Sequence, residues 1–533
     1  MTSAYRLAVL ACATLVVTSA AGCASAKKVV SGGDDKGAIT MGTTNVTTVL
    51  DPAGAYDAGS WLVLNNTFQS LLKFPSGAST PQPDAAESCA FTGGGTSVYK
   101  CTLHSGLKFS NGHRLTAQDV VFSVERMKKI ADESGPSSLL STIEKVTAKG
   151  DLEVEFQLNT PDAVLPAKLA TAAGAIVDHE VFPADKLLPN DKLVGSGPYK
   201  IDAIETGGGN GSLAKVTLSA NGDYKGEAKL QNNKFVVRYL ADGDALKAAL
   251  EAGDIDLADN SLDPATSARL KDEQLSGSGK FKVAEGDSAE TRYMAFNTKD
   301  AIGGNPAVRQ AVAQLLDRKV LARDVYARTV QPLYSVVPAG ITGHNTAFFD
   351  RYGEPDVAKA KKILTNAKVQ TPVKFTLMWS RSRAGDAEAK EIKKQLDASG
   401  LFQVTVQQEA DWTAFQKGWT DGAYQAYTVG WTPDYADADN FVGPLLVDGG
   451  AFHTGWDDPK ISQKLLPESI KQTDRSAGGA YGQVQNLVAE SVPILPIFQN
   501  KAFYATRTDI TGVDGTVDTT GVFRFWEIGR GKK

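Results

Sequence analysis

From Ser97 to Met127 the chain changes its hydrophobic period from two to 3.6 within one short span, and few architectures accommodate that change. Tyr99-Lys100-Cys101-Thr102-Leu103 alternates apolar and polar residues, as a strand with one buried face does. Asn111-Gly112 is a turn signal. Thr116 and Asp119 then fit the S/T-x-x-D/E capping pattern, and behind them Val120, Val124 and Met127 fall on one helical face. A half-buried strand handing over to a capped amphipathic helix belongs to a mixed α/β chain. The rest of the sequence keeps that mixture. Strands are expected at Ile39–Thr48, Leu152–Leu158, Val236–Leu240, Tyr293–Asn297 and Val373–Trp379. Helices are expected at Asp244–Ala252, after Asn305-Pro306, at Asp356–Ala367, at Asp386–Ser399 and within Tyr481–Pro496. No repeat of about 20–50 residues is visible.

With 533 residues, 42% hydrophobic and 22% charged, the chain can bury a sizeable core in two to four domains. Net charge is −5 and the pI is near 5.7, with no long basic run, which argues against a nucleic-acid partner. No apolar stretch reaches the ~18–20 residues of a spanning helix. Arg6 followed by the apolar run Leu7–Val17 reads as a signal peptide over residues 1–22. Ser19-Ala20-Ala21-Gly22-Cys23 resembles a bacterial lipobox, which implies cleavage before Cys23 and a lipid on its sulfur. The alternative is an ordinary secretory signal cut near Ala21 or Ala24. Residues 23–37 are small, polar and charged, and read as a tether from the outer face of the cell membrane. Cys89 and Cys101, twelve apart and flanking a turn-rich segment, read in an exported protein as a disulfide. A metal pair is the alternative, though no His adjoins either thiol.

The candidate binding stretch is Tyr427–Phe441. An apolar run there turns abruptly to Trp431, Asp434, Tyr435, Asp437 and Asp439, broken by Gly430 and Pro433. A carboxylate flanked by aromatic rings suits a buried ligand ammonium, because the rings exclude water and face a cation while the carboxylate pairs with it. Tyr56, Asp57 and Trp61 sit between the first strand and its helix, where a pocket wall can form. Enzyme patterns are weak. Ser97–Lys100 satisfies S-x-x-K within a strand pattern and no K-T-G follows. No G-x-S-x-G occurs, and the five histidines include no H-x-x-x-H or H-x-H pair.

The stretch Leu107–Met127 resembles R-x-G-V-x-F-S-D-G-x-x-x-T-A-x-D-V-x-F-S, a signature of the family 5 solute-binding proteins of ABC importers. Gly430, Trp431, Asp434, Tyr435, Asp437, Asn440 and Phe441 match that family's G-W-x-x-D-Y-x-D-P-x-x-F, with Ala438 in place of the Pro. Leu50-Asp51-Pro52, Gly195–Ile201, Gly253–Asp256 and Asp317-Arg318 match further segments, so the likeness covers roughly residues 40–525. It implies a two-lobed periplasmic-binding-protein-like fold (type II, cluster C) with an extra domain. The expected division is a first lobe of 38–74, 193–290 and 490–533, an insertion of 75–192, and a second lobe of 291–489. It implies Asp434 as partner of a peptide ammonium, with Trp431 and Tyr435 as pocket walls beside Tyr56 and Trp61. Arg381 and Arg383 stand in the loop where dipeptide-binding relatives place an arginine for the ligand carboxylate, which a planar guanidinium holds bidentately. The expected protein is a monomeric non-enzyme without cofactor that delivers a peptide-like solute to a permease and its ATPase subunits. Alternatives are a peptide-sensing receptor, a binder of sugars, opines or metal chelates, and an exported hydrolase.

Overall fold

The computed structural model describes residues 37–207, 212–380, 386–474 and 479–531. Cys23, the segment 1–22 and most of the tether lie outside the described residues, as do Arg381 and Arg383. Among the described residues no helix is long and apolar enough to cross a membrane.

One mixed sheet of eleven strands runs through both lobes. Its centre is a pair of long antiparallel strands, Phe281–Phe296 and Ile494–Arg507. They pair from Phe281↔Arg507 to Asp287↔Lys501, lose register, and pair again from Thr291↔Gln499 to Ala295↔Ile494. The first half is extended by Leu257–Ala258, then Ile39–Thr43 and Lys234–Tyr239. The second half is extended by Ala426–Trp431, then Val373–Trp379 and Phe402–Gln408. The same two strands therefore serve both lobes, and the irregular stretch at Ser288–Glu290 is where they cross. Loss of regular pairing bends and twists a strand, which is what a crossing between lobes requires.

Local patterns explain the elements. Val373–Trp379 and Phe402–Gln408 are parallel, so a crossover must join them; helix Ala387–Ala398 supplies it and buries Ala389, Ile392 and Leu396. The first strand stops at Thr43, earlier than its β-branched composition predicts. Beyond it Thr47 turns away to donate through Oγ1 to Asp57 Oδ1 at 2.9 Å. A separate four-stranded antiparallel sheet is formed by Ala86–Phe91, Val98–Leu103, Glu153–Leu158 and Ile143–Lys149. Tyr99, Cys101 and Leu103 are its buried face, as their alternation requires. Cys89 lies opposite Cys101 and the two are joined by a disulfide.

Helix Ala117–Ile130 buries Val120, Val124 and Met127, and Asp119 accepts the Thr116 N–H at 2.8 Å. From the same helix Arg126 reaches Asp51 near the first strand, with NH1 to Oδ1 at 2.8 Å and NH2 to Oδ2 at 2.6 Å. Gly195 and Gly197 pass against the backbone of Thr67, so closely that a Cβ on Gly195 would stand 2.0 Å from its carbonyl oxygen. Ala163 N–H donates to Ile470 O at 2.6 Å, tying the four-stranded region to the second lobe.

Candidate functional site

A cavity of about 690 Å³ lies where the lobes face each other over the crossing strands. Among the segments that border it are the loop and helix around Tyr56–Trp61, Asp259–Ser261, Ser288–Glu290, Thr432–Asp434 and Thr516–Phe523. The first is held by capping. Asp57 accepts Ser60 N–H at 2.8 Å and so starts helix Ala58–Thr67, which satisfies one of the free donors at that terminus. Trp61 lies one turn on and donates through Nε1 to Ala55 O at 2.9 Å, with its ring centroid 5.6 Å from that of Tyr56.

Asp434 follows the strand Ala426–Trp431 in the turn made by Pro433. Buried Asn440 clasps it: Nδ2 donates to Asp434 Oδ2 at 3.0 Å, and Oδ1 accepts the Asp434 N–H at 3.0 Å. The other oxygen of Asp434 faces across the cleft. There the Tyr56 hydroxyl donates to Oδ1 at 2.7 Å, a bond between residues 378 apart in sequence. Burial pushes the Asp434 carboxyl above its ordinary value, while the bonds from Asn440 and Tyr56 hold it down. Burial, then the Asp434 charge, pushes the Tyr56 phenol up.

Trp431 and Tyr435 do not border this cavity, contrary to the expectation that they form its walls. With Asp434 turned to the cleft, its neighbour Tyr435 turns into the lobe, 5% exposed, and donates its hydroxyl to Asp439 Oδ2 at 3.0 Å. Trp431 is drawn inward by Asn440 Oδ1, 3.3 Å from its Nε1, and by an edge contact with Phe452 at 6.0 Å. Both stiffen the loop that presents Asp434. The aromatic side chains that border it are Tyr56 and Trp61, both on the expected wall, with Phe74, Tyr504 and Phe523. Of these, Tyr504 and Phe523 stack at 4.8 Å.

Sequence reasoning missed Asp259 and Glu290. The turn Gly253–Asp256 does not border the cavity: Gly253 (φ 80°) ends helix Gly243–Ala252, and Asp256 pairs with Arg530 at 2.7 Å. The rim acid is Asp259, three residues on and 5% exposed, which accepts the Ser261 N–H at 3.1 Å. Burial pushes its carboxyl up to about 6. The local pattern, an acid directly after Leu257–Ala258, is too common to single it out. Glu290 accepts from Asn500 Nδ2 at 2.7 Å, at the crossing of the long strands.

Among the described residues, ligand atoms of Asp119, Asp178 and His179 lie within 4.8 Å of one another. Their oxygens are already engaged. Asp119 takes Thr116 N–H and His179 Nδ1, and Asp178 takes Asn111 Nδ2 and His113 Nδ1. This cluster ties the start of the capped helix to the segment at Asp178-His179, distant in sequence.

Residues 80–452 match the family described as "Bacterial extracellular solute-binding proteins, family 5 Middle". The chain belongs to this family. Its members bind solutes outside the cytoplasm and are binding proteins rather than enzymes. Di/tripeptide-binding protein 2 of Pseudomonas aeruginosa (strain UCBPP-PA14) is 24% identical over 476 residues, covering 84% of this chain and 86% of that protein. Heme-binding protein A of Haemophilus influenzae (strain ATCC 51907 / DSM 11121 / KW20 / Rd) is 26% identical over 494 residues, covering 86% of this chain and 85% of that protein. Among solved structures, the periplasmic binding protein DppA of Helicobacter pylori in complex with peptide STSA superposes with a TM-score of 0.75 at 22% identity. That match covers 93% of this chain and 98% of the other. The family match and these neighbours establish the two-lobed periplasmic-binding-protein fold.

Proposed function

We propose that this protein captures a peptide-like solute between its lobes and delivers it to an ABC permease, with Asp434 holding the solute's terminal ammonium. The observation that carries the reading is the bond from Tyr56 to Asp434 across the cleft. A carboxylate raised by burial, fixed from behind by Asn440 and presented to a cavity of about 690 Å³, is ready to accept a charged donor. A ligand ammonium replaces the neutral phenol as the stronger partner, and its contacts to both lobes favour the closed form. Trp61 and Tyr56 cover the ligand, and Arg381 or Arg383 takes its carboxylate. Of the division into lobes at 38–74, 193–290 and 490–533 against 291–489, with 75–192 inserted, the strands support the change near 290 and the insertion, while the return to the first lobe falls near residue 500. The four-stranded sheet falls wholly within 75–192. Cys23 carries the lipid that keeps the receptor at the membrane.

Calorimetric titration tests the reading, using protein unfolded and refolded to strip carried-over ligand. Di- to penta-peptide pools are expected to give heat that Asp434→Ala abolishes. Silence from every pool, with binding of haem instead, would overturn the peptide assignment and leave the fold untouched.

A further inference from the structure

Five carboxylates border the interlobe cavity, those of Asp57, Asp259, Glu290, Asp434 and Asp518, and no Lys or Arg borders it among the described residues. Among the described residues only Asp518 has a cationic partner there, Arg524 NH1 at 3.0 Å. Asp57 is occupied as a helix cap. Asp259, Glu290 and Asp434 have hydrogen-bond donors but no ion pair among the described residues. The Glu290 charge opposes ionisation of Asp259, and both carboxylates push up the Tyr504 phenol that borders the cavity with them. The adjoining chamber of about 360 Å³, which shares Asn65, Phe74, Ala170 and Val522 with the cavity, is built differently. Its Lys73 is paired with Glu227 at 3.1 Å and with Asp84 at 3.6 Å. Among the described residues, charge is balanced in that chamber and unbalanced in the cleft.

Like charges gathered in a partly desolvated cavity repel, and each lacks the solvation it would have in water. A cation entering between them relieves both costs. We infer that the solute of this cleft is an oligocation: a peptide whose terminal ammonium sits at Asp434 while a second ammonium or guanidinium sits between Asp259 and Glu290. The inference rests on the cleft being the ligand site and deepens that reading. It makes charge, and not peptide length alone, the basis of selection. A cavity walled by Tyr504 and Phe523 on that side also suits the aliphatic stem of a Lys or Arg side chain, whose methylenes pack on rings while the head reaches a carboxylate.

The test is calorimetry on the protein with trilysine amide, trilysine, trialanine amide and trialanine. Trilysine amide is expected to bind with one-to-one stoichiometry and at least about tenfold more tightly than trialanine amide. That preference should shrink as salt rises from about 0.01 to 0.15 M, a measurement that needs no variant. In Asp259→Asn/Glu290→Gln it should largely vanish. Equal affinity for the two amides would overturn the inference while leaving peptide capture standing. So would several weak trilysine sites in place of one, or, where a free carboxylate is needed for any binding, equal affinity for trilysine and trialanine that both carry it. Silence from all four would overturn both readings.

Discussion

Asp434 shows how much one side chain owes to its neighbours. Its acid–aromatic context in the sequence pointed to an ammonium anchor, but its orientation comes from Asn440, six residues on, which fixes both its carboxylate and its backbone N–H. Asp259 had no such flag, because a single acid after two apolar residues is common on any surface. Its burial, visible only in the fold, raises its carboxyl to about 6, and the sign of the consequence is fixed. A cation binds the ionised form, and the ionised fraction in the empty cleft rises as pH climbs through about 6. Affinity for a cationic peptide is therefore expected to increase between pH 5 and pH 7, with proton release on binding at the lower end. Titrations in two buffers of different ionisation heat measure this. A flat profile would show that Asp259 does not meet the ligand's charge. For the empty protein the linkage runs the other way: the folded state holds this proton more tightly than the unfolded chain, so stability from it is lost as pH rises through about 6.

At the scale of elements, the capped helix Ala117–Ile130 was legible in full, because cap and apolar stripe are local properties. Its most consequential contact was not. Arg126 reads as one more charge on a helix, yet it is 2% exposed and holds Asp51, 75 residues away and fully buried, through two bonds. It also donates to the carbonyls of Pro183 and Lys186, and Asp51 takes the Leu188 N–H at 2.6 Å. Removing Arg126 leaves the buried Asp51 with backbone donors but no counter-charge. Arg126→Met is expected to lower stability by about 3–5 kcal/mol in denaturant unfolding. A loss below about 1 kcal/mol, the range of an exposed pair, would show that water reaches Asp51.

Across the whole molecule, the long strands Phe281–Phe296 and Ile494–Arg507 make the two lobes one sheet that bends at Ser288–Glu290. The bond from Tyr56 to Asp434 is a small tie across that hinge, and a single neutral donor to a carboxylate has a net value of roughly 1.5–3 kcal/mol at most when shielded. Tyr56→Phe is therefore expected to open the ligand-free protein, seen as a larger radius of gyration by small-angle scattering, while saturating peptide restores the closed dimensions. An unchanged radius in the variant would place the closing force elsewhere.

What the sequence determined by itself was everything set by near neighbours: strand and helix periods, the Thr116 cap, the Asn111-Gly112 turn, and the family signature that brings the two-lobed fold with it. Burial class followed too, since alternation at Tyr99–Leu103 leaves only one face to hide. The tertiary structure decided which distant groups share a space. It turned Trp431 and Tyr435 inward to support Asp434, brought Tyr56 across the cleft, and gathered Asp259 and Glu290 beside the crossing strands. Those outcomes depend on strand order and on the register shift between Asp287 and Thr291, which no local pattern encodes. Charge and desolvation act through space, so the ligand's chemistry becomes readable only once the chain has chosen which carboxylates face one another.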